Sequence, residues 1–522
     1  MGKNLENIDK KVLFISVSIC VLFVLWTMGA PEYVSGVLDN ILSWCLTNLG
    51  WYFLLSLAGY LAFLFILAFS KYGKIKLGKD DEKPEYSTGS WIAMTFSCGM
   101  GIGLVFWSVA EPMMHFASNP LADSNTAEAA RVGMRYVFFH WGLHPWAIYG
   151  FIGLPIAYFA YRKGLPALVS STLYPIIGEK GVKGPIGKAV DILAILVTLF
   201  GVANSLGLGA MQINSGLNFL YGIPQGNTVA IAIIAILSVL FIIAAVSGVE
   251  KGIKWFGNAN VTIAGILMAF VFLAGPTLYI INLFTESIGG YLQNILGSSF
   301  FLDTQGTVAK HAGFNWVESW TIFYWVWWIM YGPFCGMFFA RVSKGRTIKE
   351  FVLGTMIAPV ILSFMWLAIF GGTALHIDLF GAGGIAEAVA RDITSAIFVT
   401  LSHLPLAEVL SILVITLICT FYVTSADSAI FVVGMLCSKG ALNPKNGIKI
   451  VLGIVEGSIA AMLLLAGGLK AVQTVSFIFG TPFTIVMLFM VYSFMKTLRK
   501  DPSLEIKSAH TKANFKAAVN NQ

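Results

Sequence analysis

The chain has 522 residues, 57% hydrophobic and only 11% charged, with a mean hydropathy of +0.80 and a formal net charge of +7. A soluble domain carries roughly 25% charged residues to cover its surface, so this composition excludes a soluble fold and leaves no room for a large domain outside the membrane. At about 20 apolar residues per spanning helix, the length accommodates roughly a dozen spans.

The predicted elements, in chain order, are twelve transmembrane helices at 12–30, 50–70, 90–116, 133–161, 189–213, 227–247, 257–284, 316–342, 353–375, 408–435, 448–467 and 470–494. The basic start and apolar run at the N-terminus look like a signal peptide. A clear small-residue cleavage site is lacking and a second span follows soon, so the run reads as the first helix. Half-polar stretches at 285–310 and 376–405 read as interfacial helices or structured loops. Of the 33 Lys and Arg, all but Arg131, Arg135, Lys310, Arg391 and Lys470 fall on the side of the N-terminus. That asymmetry predicts a multi-pass protein of the plasma membrane with both termini cytoplasmic, and it accounts for the net charge without a nucleic-acid partner. The expected organisation is a cytoplasmic N-terminus at 1–11, a membrane domain at 12–494 and a short cytoplasmic tail at 495–522. The tail reads as solvated and disordered, with contact to anionic lipid as the alternative.

Some spans are more than greasy. In the third, Gly99, Gly101 and Gly103 alternate. Each costs about 0.5–1 kcal/mol in a helix interior, so the run suits an unwound stretch whose carbonyls hold an ion and whose N–H groups meet a carboxylate. Close helix packing is the alternative. The fourth span carries Trp141, Trp146 and Tyr149 beside Pro145, and the eighth carries Trp325, Trp327, Trp328 and Tyr331 beside Pro333. A quaternary ammonium head has no N–H to donate, and ring faces are the main device that can hold it, at up to about 2 kcal/mol per desolvated contact. Several of these rings lie mid-span, which argues against simple anchoring at the headgroups. His140 and His144 have i, i+4 spacing but no H-E-x-x-H glutamate between them, so they read as helix caps or bridges and not as a zinc site.

The fifth span holds Thr198, Asn204 and Ser205, whose side chains bond either to neighbouring helices or to an ion. The tenth holds Thr424, Ser425, Asp427 and Ser428, oxygens suited to a small alkali ion; Asp427 can instead pair with a structural partner such as Arg341. Glu456 in the eleventh span has no evident partner. The six cysteines, scattered singly, read as small buried hydrophobes, and no transition metal or organic cofactor is expected.

GMGIG at 99–103, FHWGLHPWAIY at 139–149, YWVWWIMYGPFCGMFFARVSKGR at 324–346 and FYVTSADSA at 421–429 together resemble the betaine/choline/carnitine transporter family, and within it the sodium-coupled glycine betaine transporters. The resemblance implies a LeuT-type fold: two leading helices, then inverted five-helix repeats made of spans 3–7 and 8–12, in a transporter that works by alternating access. SCGM at 97–100 and FCGM at 334–337 form a faint echo between the counterpart spans three and eight. The resemblance also implies a homotrimer, with sodium as coupling ion and the lipid bilayer, the ion and a small quaternary ammonium compound as partners.

Carried over by residue, the family's aromatic box resembles Trp141, Trp146, Tyr149 and Trp328, with Trp327 and Tyr331 along the path and Gly99, Gly101 and Gly103 at the unwound stretch. One sodium position resembles the carbonyls of Ser97, Met100 and Phe421 with the hydroxyls of Thr424 and Ser425. A second resembles Thr198 and the ring of Phe334, but Val202 stands where a further threonine is expected. Tyr331 replaces the tryptophan typical of glycine betaine symporters. Asn260, in NAN at 258–260, stands where sodium-independent carnitine exchangers carry an arginine. The leading expectation is therefore sodium-coupled symport of glycine betaine or a relative such as choline, carnitine or proline betaine. A proton-coupled symporter and a carnitine-type exchanger are the alternatives, and a gated channel or osmosensor is the reading from another class. No nucleophile–base pair suggests an enzyme.

Overall fold

The computed structural model describes residues 8–247, 249–441 and 444–504. Among them the fold is all-α, with a lone antiparallel bridge between Lys76 and Thr347. The helices are α1 Lys10–Gly29, α2 Pro31–Phe69, α3 Thr88–Gly99, α4 Ile102–Ala117, α5 Ala127–Trp141 and α6 Leu143–Ala157. They continue with α7 Tyr174–Lys183, α8 Pro185–Tyr221, α9 Asn227–Ser247, α10 Val249–Ala274, α11 Thr277–Ser299, α12 Thr307–Ala312 and α13 Phe323–Val342. The last are α14 Ile348–Phe380, α15 Ile385–Arg391, α16 Ala396–Leu401, α17 Ala407–Cys437, α18 Asn446–Leu465 and α19 Leu469–Leu498.

Ten helices among the described residues are long and apolar enough to cross a membrane, and the pair α3–α4, bent by 67°, makes an eleventh. The expected fourth span is the exception. It divides at Gly142 into two helices of 15 residues each, neither long enough alone. A Cβ at Gly142 would sit 2.5 Å from the Phe138 carbonyl oxygen and 2.7 Å from the Tyr291 hydroxyl, so only glycine fits the corner. That hydroxyl accepts the Leu143 N–H at 3.0 Å, satisfying a donor the break sets free.

Other boundaries differ from expectation for local reasons. The second helix begins at Pro31, favoured at a first helical position, not near residue 50. Its 39 residues extend roughly 58 Å at 1.5 Å per residue, well beyond the hydrocarbon core of about 30 Å. The stretch 257–284 is two elements, because Gly275 and Pro276 end α10 before α11 starts. The half-polar stretches are helical: α11 covers most of the first, and α15 and α16 lie in the second.

Helix α13 packs chiefly on α6 and also against α8 and α19, which makes it the axis of the bundle. In its most apolar window 89% of residues are buried, against 22% in α1 and 17% in the Phe256–Ala274 window. At the end of the π-helical turn Tyr158–Arg162 that follows α6, Arg162 donates to both Asp501 oxygens at 2.7 Å and to Asp80 and the Gly78 carbonyl at 2.9 Å, tying three chain segments together. Burial pushes the Asp501 carboxyl up, but the bonds from Arg162, Tyr158 and Ser503 overcome it and hold the group well below the usual carboxylate range. The expected 495–522 tail is thus anchored at its start, and residues beyond 504 lie outside the described ones.

Candidate functional site

The chain between α3 and α4 is extended at Met100 (φ −122°, ψ 140°) and at Gly101, so the alternating glycines mark an interruption of the helix. Each glycine makes room for a particular neighbour. A Cβ at Gly99 would meet the Trp146 ring at 2.7 Å, one at Gly103 would meet Trp327 at 2.7 Å, and one at Gly101 would approach the Ser425 hydroxyl at 3.2 Å. Span eight behaves differently from its expected counterpart. After a π-helical turn at Glu318–Ile322 it runs unbroken through Pro333. The two echoing segments nevertheless meet, with Cys335 Sγ donating to the Cys98 carbonyl at 3.6 Å.

A cavity of ≈ 30 Å³ lies at the break, with room for about two waters. Its wall includes Gly99, Met100, Gly101 and Gly103 together with Trp141, Trp327, Trp328, Tyr331, Phe334, Ser205 and Ser425. The ring centroids of Trp141 and Trp328 are 4.9 Å apart at 81°, and those of Trp327 and Trp328 are 4.9 Å apart. Trp146 and Tyr149 are not part of this wall. Trp146 lies against Gly99, stacked parallel to Phe96 and Phe339, while Tyr149 meets Trp328 edge-on at 6.2 Å. Trp325 faces away and stacks on His144 at 4.9 Å.

The polar atoms of the rings are of two kinds. Trp141 Nε1 donates to Glu111 Oε2 at 2.7 Å, Trp328 Nε1 donates to the His140 carbonyl at 3.0 Å, and the Tyr331 hydroxyl bonds to Ser205. By contrast Trp146 Nε1, Trp327 Nε1 and the Tyr149 hydroxyl are buried without a hydrogen-bond partner among the described residues. Glu111 is the residue that sequence reasoning passed over. It is fully buried and also takes the Tyr324 hydroxyl at 2.6 Å, His140 Nδ1 at 2.6 Å and His115 Nε2 at 3.3 Å. Two signals pointed to it: a lone acid in an apolar span, and a histidine one helical turn later. The ligand atoms of Glu111, His115 and His140 lie within 4.8 Å of one another, and the closest contact among them is the 2.6 Å hydrogen bond between His140 Nδ1 and Glu111 Oε1. The two histidines of the fourth span act as bridges: His140 reaches Glu111 and Thr321, and His144 pairs with the Ser299 hydroxyl at 3.0 Å.

The first candidate ion position is partly assembled. Gly101 faces Phe421 and Ser425, Met100 is buried in the same wall, and the Thr424 hydroxyl bonds to the Thr420 and Phe421 carbonyls at 3.1 Å. Asn260 Nδ2 donates to Thr424 Oγ1 at 3.0 Å, so Asn260 faces this hydroxyl. Ser97 is half-buried in the last turn of α3. At the second position Thr198 turns its hydroxyl back to the Ala194 carbonyl at 2.8 Å, and Phe334 faces the cavity. Asp427 does not pair with Arg341, which bonds to Glu85 at 3.4 Å near the bundle end. Both oxygens of Glu456 are buried without a hydrogen-bond partner among the described residues.

Residues 11–503 match the family described as BCCT, betaine/carnitine/choline family transporter. The chain is 47% identical over 501 residues to a "Probable glycine betaine transporter" of Desulfitobacterium hafniense (strain Y51), covering 95% of this chain and 99% of that one. It is 48% identical over 499 residues to the "Glycine betaine transporter OpuD" of Bacillus subtilis (strain 168), covering 95% and 96%. An "Ectoine/hydroxyectoine transporter" of Virgibacillus pantothenticus is 43% identical over 499 residues, covering 95% and 98%. A helical membrane bundle with an interrupted span beside a tryptophan-lined cavity, matched over nearly its whole length by these proteins, places the chain in the betaine/carnitine/choline transporter family.

Proposed function

We propose that the protein is a sodium-coupled symporter of glycine betaine. The observation that carries this reading is the cavity wall, where Trp141, Trp327, Trp328 and Tyr331 converge beside the helix break. Their faces suit a trimethylammonium head, and the unpartnered N–H of Trp327 suits the carboxylate that accompanies it. The names of two relatives, glycine betaine transporters at 47% and 48% identity, agree with that chemistry. Sodium occupies the position formed by Ser97, Met100, Phe421, Thr424 and Ser425, and Asn260 supports it through Thr424. With Val202 in place of a second hydroxyl, Thr198 and Phe334 form a weaker site or none.

Of twelve spans, the halves of span four counted as one, two lead and the other ten form the two inverted five-helix repeats that carry the transport cycle. Both termini are cytoplasmic, residues 12–494 form the transporter domain, and the functional unit is a trimer in the plasma membrane. Uptake of radiolabelled glycine betaine, choline, carnitine, proline betaine and ectoine into proteoliposomes, with sodium and proton gradients imposed separately, tests the reading. Betaine accumulation that collapses without the sodium gradient is expected. Accumulation driven by the proton gradient alone would replace sodium with the proton, and equilibration without accumulation would make the protein a channel.

A further inference from the structure

We infer that Glu111 is the counter-charge of the substrate's cationic head, a positioning and specificity-determining residue that acts through Trp141 without touching the substrate. The inference rests on the quaternary-ammonium reading of the cavity. Glu111 accepts from four donors contributed by three parts of the chain, its own helix α4, helix α5 and the start of α13. The indole N–H can only donate. His140 lies between the carboxylate and a hydroxyl, with Nδ1 2.6 Å from Glu111 Oε1 and Nε2 3.0 Å from Thr321 Oγ1. His115 presents Nε2–H, and its buried Nδ1 has no partner; a bare nitrogen is tolerated there, whereas an N–H would be stranded. Arg135, on α5, lies over the Tyr136 ring at 5.2 Å and does not pair with the acid. We take the carboxylate as ionised and its histidine partners as neutral, which gives the cluster a single negative charge.

That charge sits one indole away from the cavity. Trp141 gives its N–H edge to Glu111, and its ring forms part of the cavity wall against Trp328. A carboxylate on the N–H enriches the electron density of the indole face, and in a water-poor interior its own field is weakly screened. Both effects strengthen the attraction for a cation, and neither acts on a neutral head of the same shape. Glu111 therefore sets how strongly the cage prefers a charged head to an isosteric uncharged one.

The test uses the full-length protein in proteoliposomes and two ligands, glycine betaine and 3,3-dimethylbutyrate, in which carbon replaces the quaternary nitrogen. The wild type is expected to prefer betaine. Glu111→Gln, which keeps an accepting oxygen and loses the charge, is expected to cut that preference by roughly tenfold through a higher KM for betaine, with kcat less affected. Glu111→Asp, which keeps the charge, is expected to retain it. If Glu111→Gln fails to insert, His115→Lys neutralises the same carboxylate without removing it and is expected to lower the preference likewise. A charge-removing variant that weakens both ligands equally, or leaves the preference intact, would overturn the inference while leaving betaine transport standing. A wild type that takes up no quaternary amine at all would instead overturn the reading on which it rests.

Discussion

Within the cavity Trp141 and Trp328 form one wall and Trp327 another, yet among the described residues only the first pair has its indole N–H groups tied to protein. A ring pinned through its N–H keeps its face in one orientation, which suits a cation held by geometry alone. A ring with a free buried donor has a reason to turn toward an anion, since each unsatisfied group costs about 1–3 kcal/mol. On the proposed function the comparison assigns the two ends of the zwitterion to different walls: the fixed rings suit the ammonium and the free Trp327 N–H suits the carboxylate.

The largest expected effect comes from the fixed wall. Trp328→Leu removes both the ring face and the bond to His140, and should abolish betaine uptake while the protein still inserts, as judged by its elution and thermal stability in detergent. Unchanged affinity in that variant would remove the cage. Next is the free wall. Trp327→Phe keeps a ring and loses the N–H, and should raise the KM for betaine by about tenfold, in line with roughly 1.5 kcal/mol for a bond to a charged group. Choline, which has no carboxylate, should be affected far less. An equal loss for both ligands would merge the two walls into one. A smaller effect is expected beside the cage, where Thr424→Ala should raise the sodium concentration needed for half-maximal uptake about threefold or more without changing which amine is preferred. The smallest lies far from both walls. Asp501→Asn should lower thermal stability at neutral pH and spare the substrate preference. Because the folded-state pKa of Asp501 is depressed, its contribution is present above the ordinary carboxylate range, and the gap to the variant should narrow as the pH falls below about 4.

Much of this was legible in the chain because lipid makes periodicity unnecessary: a run of about 20 apolar residues is a span whatever its pattern. The signal faded where a helix was longer than the bilayer requires. Residues 31–49 of α2 carry Glu32, Asp39 and Asn40 among apolar residues, and only the structure shows them continuing the same helix. It faded again at Gly142, because one glycine inside an apolar segment does not reveal whether a tyrosine from another helix occupies the space its side chain would need. The glycine run at 99–103 was readable as an interruption, since three alternating glycines are hard to reconcile with a regular helix. Which ring each one admits was not. Nor was Glu111, whose partners are contributed by residues up to 213 positions away in sequence.

The Tyr291 hydroxyl has a mechanical consequence. It is the group that caps Leu143, one residue past the corner that follows Trp141, and it belongs to α11, an element outside the central bundle. Helix α11 therefore holds the corner after Trp141 through two hydrogen bonds, Tyr291 to Leu143 and Ser299 to His144. Because both bonds meet the chain within three residues of Trp141, a displacement of α11 would bear on the corner that sets where this ring lies.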